Sequence, residues 1–103
     1  MRFLVKVTMP VEAGNALAKK GALARTLQSI IGELKPEAVY FGPENGKRTA
    51  LIFVDIKEPS QIPAVAEPFF VALNAQVEFC PVMTPEDLQK AAPSIEKAAK
   101  DYA

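Results

Sequence analysis

Four short segments of the chain are rich in β-branched and aromatic residues, and apolar positions alternate along them as in β-strands. The predicted strands are residues 3–8, 38–41, 48–56 and 77–82. Both faces of the third strand are largely apolar, which indicates burial on both sides. Asn45-Gly46, between the second and third strands, predicts a tight hairpin because both residues tolerate a positive φ.

Residues 11–34 repeat apolar side chains at steps of three and four, which predicts one long amphipathic helix. Pro36 ends this helix, because the residue before a proline avoids the helical region. Gly14 and Gly21 each weaken it by about 1 kcal/mol relative to alanine. They indicate a late start, a kink or a close contact, and the sequence leaves these three explanations open.

Two further helices are predicted in the second half of the chain. One is capped by Ser60 and ends at Asn74, and Pro68 is expected to bend or shorten it. The other has a clear start signal, with Thr84 as the cap, proline at the first helical position and acids in the first turn. Pro93 is expected to split this last segment into two short helices.

The resulting order is strand, helix, strand, strand, helix, strand and a C-terminal helix, which defines an α+β fold. A chain of 103 residues has the size of a single domain. We divide it into a β-α-β-β-α-β core, residues 1–82, and a C-terminal helical extension, residues 83–103.

The charge balance and the scarcity of histidine and cysteine exclude several classes of function. Twelve Lys and Arg residues balance twelve Asp and Glu residues, whereas nucleic-acid binders carry a basic excess. The chain has no histidine, which removes the commonest metal ligand and general base. Cys80 is the only cysteine, so an intrachain disulfide and a four-thiolate metal site are excluded. We therefore expect neither a cofactor nor a bound metal ion, and no nucleic-acid partner.

The distribution of apolar residues also bears on location. The apolar run at residues 3–7 is too short for a signal peptide, and no stretch approaches the ~20 apolar residues of a membrane helix. A cytoplasmic location, without a membrane partner, is the expectation that follows by default.

The order of elements, with a tight hairpin between the middle strands, resembles the ferredoxin-like fold, or split βαβ. The resemblance covers residues 1–82. It implies a four-stranded antiparallel sheet in the order four-one-three-two, with helices on one face only. The runs RTALIFVD, residues 48–55, and PVMTPEDL, residues 81–88, are similar to a bacterial family of unknown function in the dimeric α/β-barrel superfamily.

In that superfamily two such sheets close face to face, so the resemblance implies a homodimer or a higher homo-oligomer. Its members include cofactor-free monooxygenases, muconolactone-type isomerases, haem-dependent peroxidases and proteins without a known activity. Several branches rely on histidine, which this chain lacks, so those activities are not carried over. The sequence therefore does not assign an enzymatic reaction.

The candidate site lies on the sheet face that the helices do not cover. Strand alternation places polar and apolar side chains together on this face, namely Leu4, Lys6, Tyr40, Thr49, Leu51, Phe53, Asp55 and Glu78. The candidate ligand-binding residues among them are Lys6, Tyr40, Phe53 and Glu78. Lys6 and Glu78 are expected on neighbouring strands as an ion pair. The alternative is a structural ion pair with a solvated rim.

Three further features have a structural explanation beside a functional one. Arg48 follows the hairpin and suits a carboxylate or phosphate ligand, but arginines at strand starts are mostly solvated. Cys80 has no histidine to activate it, and buried inert thiols are common. Phe69 and Phe70 have two explanations: they line a pocket, or they belong to the hydrophobic core. Their positions in the predicted helix agree with both.

From the sequence we expect one of two alternative functions. The first is binding of a small, partly apolar organic molecule in a cavity of the homodimer, where cofactor-free chemistry is feasible. The second is a non-enzymatic assembly or regulatory module whose sheet face serves only oligomerisation. A cavity inside the interface favours the first, and a dry, filled interface favours the second.

Overall fold

Four antiparallel strands form one open sheet in the computed structural model, which describes residues 1–103. They are β1 (Arg2–Thr8), β2 (Ala38–Glu44), β3 (Lys47–Asp55) and β4 (Gln76–Pro81). Their order across the sheet is β2-β3-β1-β4, with every neighbouring pair antiparallel. This is the order that the resemblance implied, and it is compatible with a ferredoxin-like fold.

The hairpin between β2 and β3 forms at the predicted residues. Asn45 and Gly46 have φ angles of 54° and 76°, so both adopt the left-handed conformation of a two-residue hairpin loop. β2 is longer than predicted, because it continues through Pro43 to Glu44. β2 lies at the edge of the sheet, where a proline costs no ladder hydrogen bond if its nitrogen faces outward.

The helices are α1 (Val11–Lys19), α2 (Leu23–Leu34), α3 (Ile62–Leu73) and α4 (Pro85–Asp101). The prediction of one helix over residues 11–34 is wrong, because α1 and α2 are separate. Gly21 has a φ of 68°, and the N–H groups of Gly21 and Ala22 donate to the carbonyls of Ala18 and Leu17. This is a Schellman motif, which ends α1 with a left-handed glycine.

The start of α3 also differs from the prediction. Ser60 lies in a short 3₁₀ turn (Pro59–Gln61) and does not cap the helix. Instead, the Gln61 side-chain oxygen accepts the N–H groups of Lys57 and Glu58, at 3.0 Å each. Asn74 ends α3 in the left-handed conformation, as predicted.

Neither internal proline interrupts its helix. α3 continues through Pro68 to Leu73, and α4 continues through Pro93 as one helix of 17 residues, so the predicted split is wrong. Proline removes the hydrogen bond to the carbonyl four residues earlier. Ala64 and Gln89, which supply those carbonyls, are exposed, so water can satisfy them.

The core lies between one face of the sheet, here called the inner face, and the first three helices. Val5, Val7 and Ile52 are fully buried on the inner face, and they pack with Phe69 and Leu73 of α3. Ile30 adds the buried contribution of α2. The alternation predicted for β3 is confirmed on the inner face, where Ala50, Ile52 and Val54 are all buried, whereas Leu51 and Phe53 on the other face are only partly buried.

Helix α4 stands apart from this core. It has no buried residue, and the molecule measures 58 × 28 × 20 Å. Its radius of gyration is 17.2 Å, against about 13 Å for a compact domain of this length. The Thr84 cap forms as predicted, since Thr84 Oγ1 accepts the N–H of Asp87 and the Asp87 carboxylate accepts that of Thr84. The helix is therefore well capped, although none of its residues is buried.

Substituting the glycine between α1 and α2 tests the Schellman motif. Gly21→Ala should lower the free energy of unfolding by about 1–2 kcal/mol, because alanine is strained at a positive φ. Gly32→Ala is the matched control, since an added Cβ meets open space inside α2. It should raise the free energy by about 0.5–1 kcal/mol. Urea denaturation measures both values, and an unchanged Gly21→Ala protein would contradict the assignment.

The pKa values of two carboxylates, Glu37 and Asp87, indicate how the stability of the fold depends on pH. Hydrogen bonds from Arg2, 2.7 and 2.9 Å long, lower the pKa of Glu37, and those from Thr84 lower the pKa of Asp87. The stabilisation from these hydrogen bonds is therefore fully present when the pH is above the ordinary pKa values, 4.5 for Glu37 and 3.8 for Asp87. It is lost as the pH falls through the lower pKa values that the two carboxylates have in the folded protein.

We therefore expect the free energy of unfolding to decrease as the pH is lowered below 4.5. Glu37→Gln should make this decrease smaller, because one of the carboxylates with a lowered pKa no longer titrates. Glu67→Gln is the control, since Glu67 is exposed and forms no ion pair. Thermal unfolding at pH 3 and pH 7 gives the comparison, and identical differences for all three proteins would refute it.

Candidate functional site

The face of the sheet opposite the helices, here called the outer face, carries side chains in rows that cross all four strands. The register places three of the four predicted site residues in a single row, which reads Tyr40, Leu51, Lys6 and Glu78 from β2 to β4. The adjacent row is apolar except for a thiol, and it reads Ala38, Phe53, Leu4 and Cys80. Phe53, the fourth predicted residue, therefore lies beside the polar row.

The two rows differ in exposure. Leu4, Leu51 and Phe53 are only partly buried. The Tyr40 side chain is 62% exposed at the β2 edge. Glu78 is exposed at the β4 edge and forms no ion pair. The outer face thus combines an apolar centre with polar groups at both edges.

The ion pair expected between Lys6 and Glu78 does not form, although the two residues are register partners. Lys6 Nζ instead donates to Glu44 Oε1 at 2.6 Å, across β3 to the end of β2. Gly42 has no side chain and an added Cβ there meets open space, so nothing at that position obstructs this contact. The hydrogen bond to Glu44 raises the pKa of Lys6, and the charges of Glu44 and Glu78 add to the effect.

The thiol of Cys80 is exposed on this face, so the expectation of a buried cysteine is wrong. Its sulfur lies 3.8 Å from the carbonyl of Pro81, which is a weak contact. Lys6 is engaged by Glu44 and no histidine exists, so nothing in the structure activates the thiol as a nucleophile.

Arg48 is committed to a structural contact. Its guanidinium donates to Asn15 Oδ1 at 3.0 Å and lies against α1. A Cβ at Gly14 would come within 2.6 Å of the guanidinium, so the glycine permits this close contact. Of the three explanations left open for Gly14, the close contact is confirmed. Arg48 lies on the helix side and is not part of the outer face.

The largest cavities do not coincide with the predicted site. A groove of about 460 Å³ runs between α2 and β2, lined mainly by Leu27, Ile31, Val39 and Phe41. A second hollow of about 380 Å³ continues it towards the hairpin. The outer face has only a hollow of about 120 Å³, beside Tyr40 and Glu44. A flat open face encloses volume only when something covers it, so its small hollow does not exclude a site there.

Sequence reasoning missed the groove between α2 and β2. Phe41 lies in a strand, as predicted, on the inner face at the β2 edge, and it is 60% exposed. How far α2 extends over the β2 edge depends on the packing of distant elements, which a local pattern does not contain.

No three His, Cys, Asp or Glu side chains are close enough together to hold a metal ion. None of the helices combines the length and apolar character needed to cross a bilayer. Neither a known protein family nor a curated protein matches the sequence. Function must therefore be inferred from the outer face and from the surfaces around it.

Proposed function

We propose that the protein self-associates through its outer face and binds a small, partly apolar organic molecule between the two apposed sheets. The observation that carries this proposal is the row Tyr40, Leu51, Lys6 and Glu78, in which Tyr40 and Glu78 are exposed and Leu51 and Lys6 are only partly buried. Ligand sites typically combine an apolar surface with a few convergent polar groups, and this row has that composition.

The apolar centre of the outer face supplies the driving force for association. Full burial of Leu4, Leu51 and Phe53 is worth roughly 5–8 kcal/mol, and part of this is already realised because they are partly buried. A second outer face would cover the remainder. The formal net charge of zero means that long-range repulsion between two copies is weak.

The polar groups indicate what kind of molecule fits. Covering the face desolvates its charges, and a buried charge without a partner costs several kcal/mol. Lys6 already has Glu44 as its partner, whereas Glu78 has none and Tyr40 can donate or accept. A partly apolar molecule with a hydrogen-bond donor for Glu78 would complete the site.

A specific observation also favours the second candidate function, in which the outer face serves only oligomerisation. The ion pair between Lys6 and Glu44, 2.6 Å long, satisfies the lysine without any ligand. The hollow beside Tyr40 is too small for most organic molecules. Under this alternative, two apposed faces would fill each other and leave no cavity.

The first test concerns association. Phe53→Asp should weaken self-association by about tenfold or more, because it places a charge in the apolar centre of the interface. Val71→Asp is the matched control, since Val71 is 80% exposed on α3 and the substitution adds the same charge elsewhere. Sedimentation equilibrium gives the dissociation constants, and circular dichroism verifies that both variants fold.

A monomeric wild-type protein at micromolar concentration would contradict the proposed association. Equal dissociation constants for Phe53→Asp and Val71→Asp would instead show that any dimer uses another surface.

The second test concerns the ligand site, with anilinonaphthalene sulfonate as the probe because it is anionic and partly apolar. Lys6→Met should weaken its binding, since the positive charge of the row is lost. Glu44→Gln should strengthen it by up to about tenfold, because Lys6 is released from its 2.6 Å ion pair. Lys20→Met is the control for net charge, because Lys20 is exposed at the end of α1.

Fluorescence titration of the dimeric proteins measures the three affinities. Identical affinities for Lys6→Met, Glu44→Gln and Lys20→Met would show that Lys6 is structural, and the association-only function would then be preferred.

A further inference from the structure

The strand β4 lies at an edge of the sheet, with β1 as its only neighbour. Just past the strand, the Val82 N–H donates to the Arg2 carbonyl at 3.1 Å. In an antiparallel strand, the backbone groups of successive residues point to alternate sides. The even-numbered residues of β4 therefore hydrogen-bond with β1. The odd-numbered residues direct their backbone groups away from the sheet, and these are Val77, Phe79 and Pro81.

The open edge of β4 has carbonyls at all three of these residues and N–H groups at Val77 and Phe79, since proline has none. No other strand of the chain pairs with them. An edge of this kind is a template for pairing with a further strand. At the opposite edge, β2 contains Gly42 and Pro43, which both disfavour pairing. β4 has a proline only at its last position, so it is the better template.

The open edge of β4 is complementary to a second copy of itself. If the two strands run antiparallel with Phe79 opposite Phe79, these two residues exchange their N–H and carbonyl groups. The N–H of Val77 then meets the Pro81 carbonyl of the second copy. Every outward N–H of both strands is paired in this register. Only the Val77 carbonyl lacks a donor, because the residue opposite it is a proline.

The side chains of β4 select this register over its two neighbours. A register with Glu78 opposite Glu78 would bring two carboxylates together, and like charges directly opposite each other destabilise a strand pair. A register with Cys80 opposite Cys80 would place Val77 opposite Met83, which lies beyond the end of the strand. In the register centred on Phe79, the single charged residue of β4 lies opposite Cys80 of the second copy, so no like charges meet.

Helix α3 provides an independent observation beside the same edge. It packs against β4 and contains one charged residue, Glu67, among its 12 residues. The connection from β3 through α3 to β4 is of the type that is almost always right-handed. With this hand, the residue after the buried Phe69, about 100° further around the helix, points away from α2 and towards the open edge. That residue is Phe70, which is 42% exposed.

We propose that the chain pairs with a second copy along the β4 edge, in the antiparallel register centred on Phe79, so that the two sheets form one continuous sheet. A twofold axis at Phe79 closes this contact at two copies. It also keeps both inner faces on the same side, so the two α3 helices become neighbours and cover Phe70 with apolar surface. This inference goes beyond the proposed function, because it uses the edge of the sheet and leaves the outer face free.

Disulfide trapping measures the register, because each of the three registers brings different residues together. In the proposed register, Glu78 and Cys80 of the second copy form a pair without hydrogen bonds between them, with Cα atoms about 4.5 Å apart. Disulfides span Cα separations of about 4.4–6.8 Å. One chain, labelled with ¹⁵N, carries Glu78→Cys and Cys80→Ser. The other is the unlabelled wild-type chain, in which Cys80 is the only thiol.

The two chains are mixed in equal amounts and oxidised with oxidised glutathione, and mass spectrometry separates the three disulfide dimers. We expect the mixed dimer to exceed the share that random encounters produce. An excess of the wild-type dimer or of the dimer of the double variant would overturn the proposed register, because it would place Cys80 opposite itself or position 78 opposite itself. A random distribution would overturn the edge pairing.

Two substitutions of Val77 test whether the trapping depends on the hydrogen bonds of the edge. Val77→Pro removes an N–H that points away from β1, so the pairing of β4 with β1 is retained. Val77→Ala shortens the same side chain but keeps the N–H. Placed in both chains, Val77→Pro should lower the yield of the mixed dimer about tenfold, and Val77→Ala should change it little. Circular dichroism verifies that both fold, and equal yields would contradict the proposal.

Phe53→Asp distinguishes the edge pairing from the proposed function. Placed in both chains, it should leave the yield of the mixed dimer unchanged, because Phe53 lies on the outer face. If Phe53→Asp leaves self-association unaffected while Val77→Pro abolishes the trapping, the outer-face proposal fails and the edge pairing stands. If Phe53→Asp abolishes the trapping and Val77→Pro does not, the cysteines meet across outer faces and the edge pairing is overturned.

Discussion

The structure depends on burial of a single face of its sheet. Val5, Val7 and Ile52 are completely shielded by the helices packed on the inner face. Because side chains alternate along a strand, burial of these residues forces Leu4, Lys6 and Leu51 onto the outer face. The candidate site is thus a direct consequence of core packing: the same register that closes the core aligns Tyr40 with Glu78 across four strands.

Local patterns in the sequence predicted what local physics determines. The faces of β3, the hairpin at Asn45-Gly46 and the Thr84 cap follow from neighbouring residues, and all three are confirmed. The break at Gly21 was misjudged because a glycine inside an apolar stripe fits a weakened helix as well as a left-handed terminus. The partner of Lys6 was misjudged because strand register places Glu78 opposite Lys6 but does not determine which carboxylate the long lysine side chain reaches, and Lys6 reaches Glu44.

The prolines show how exposure changes a sequence rule. A proline inside a helix is costly mainly when the freed carbonyl has no other partner. In α4 every residue around Pro93 is at least partly exposed, so water replaces the lost hydrogen bond. The sequence rule therefore predicted a break where none occurs. The result is one uninterrupted helix of 17 residues.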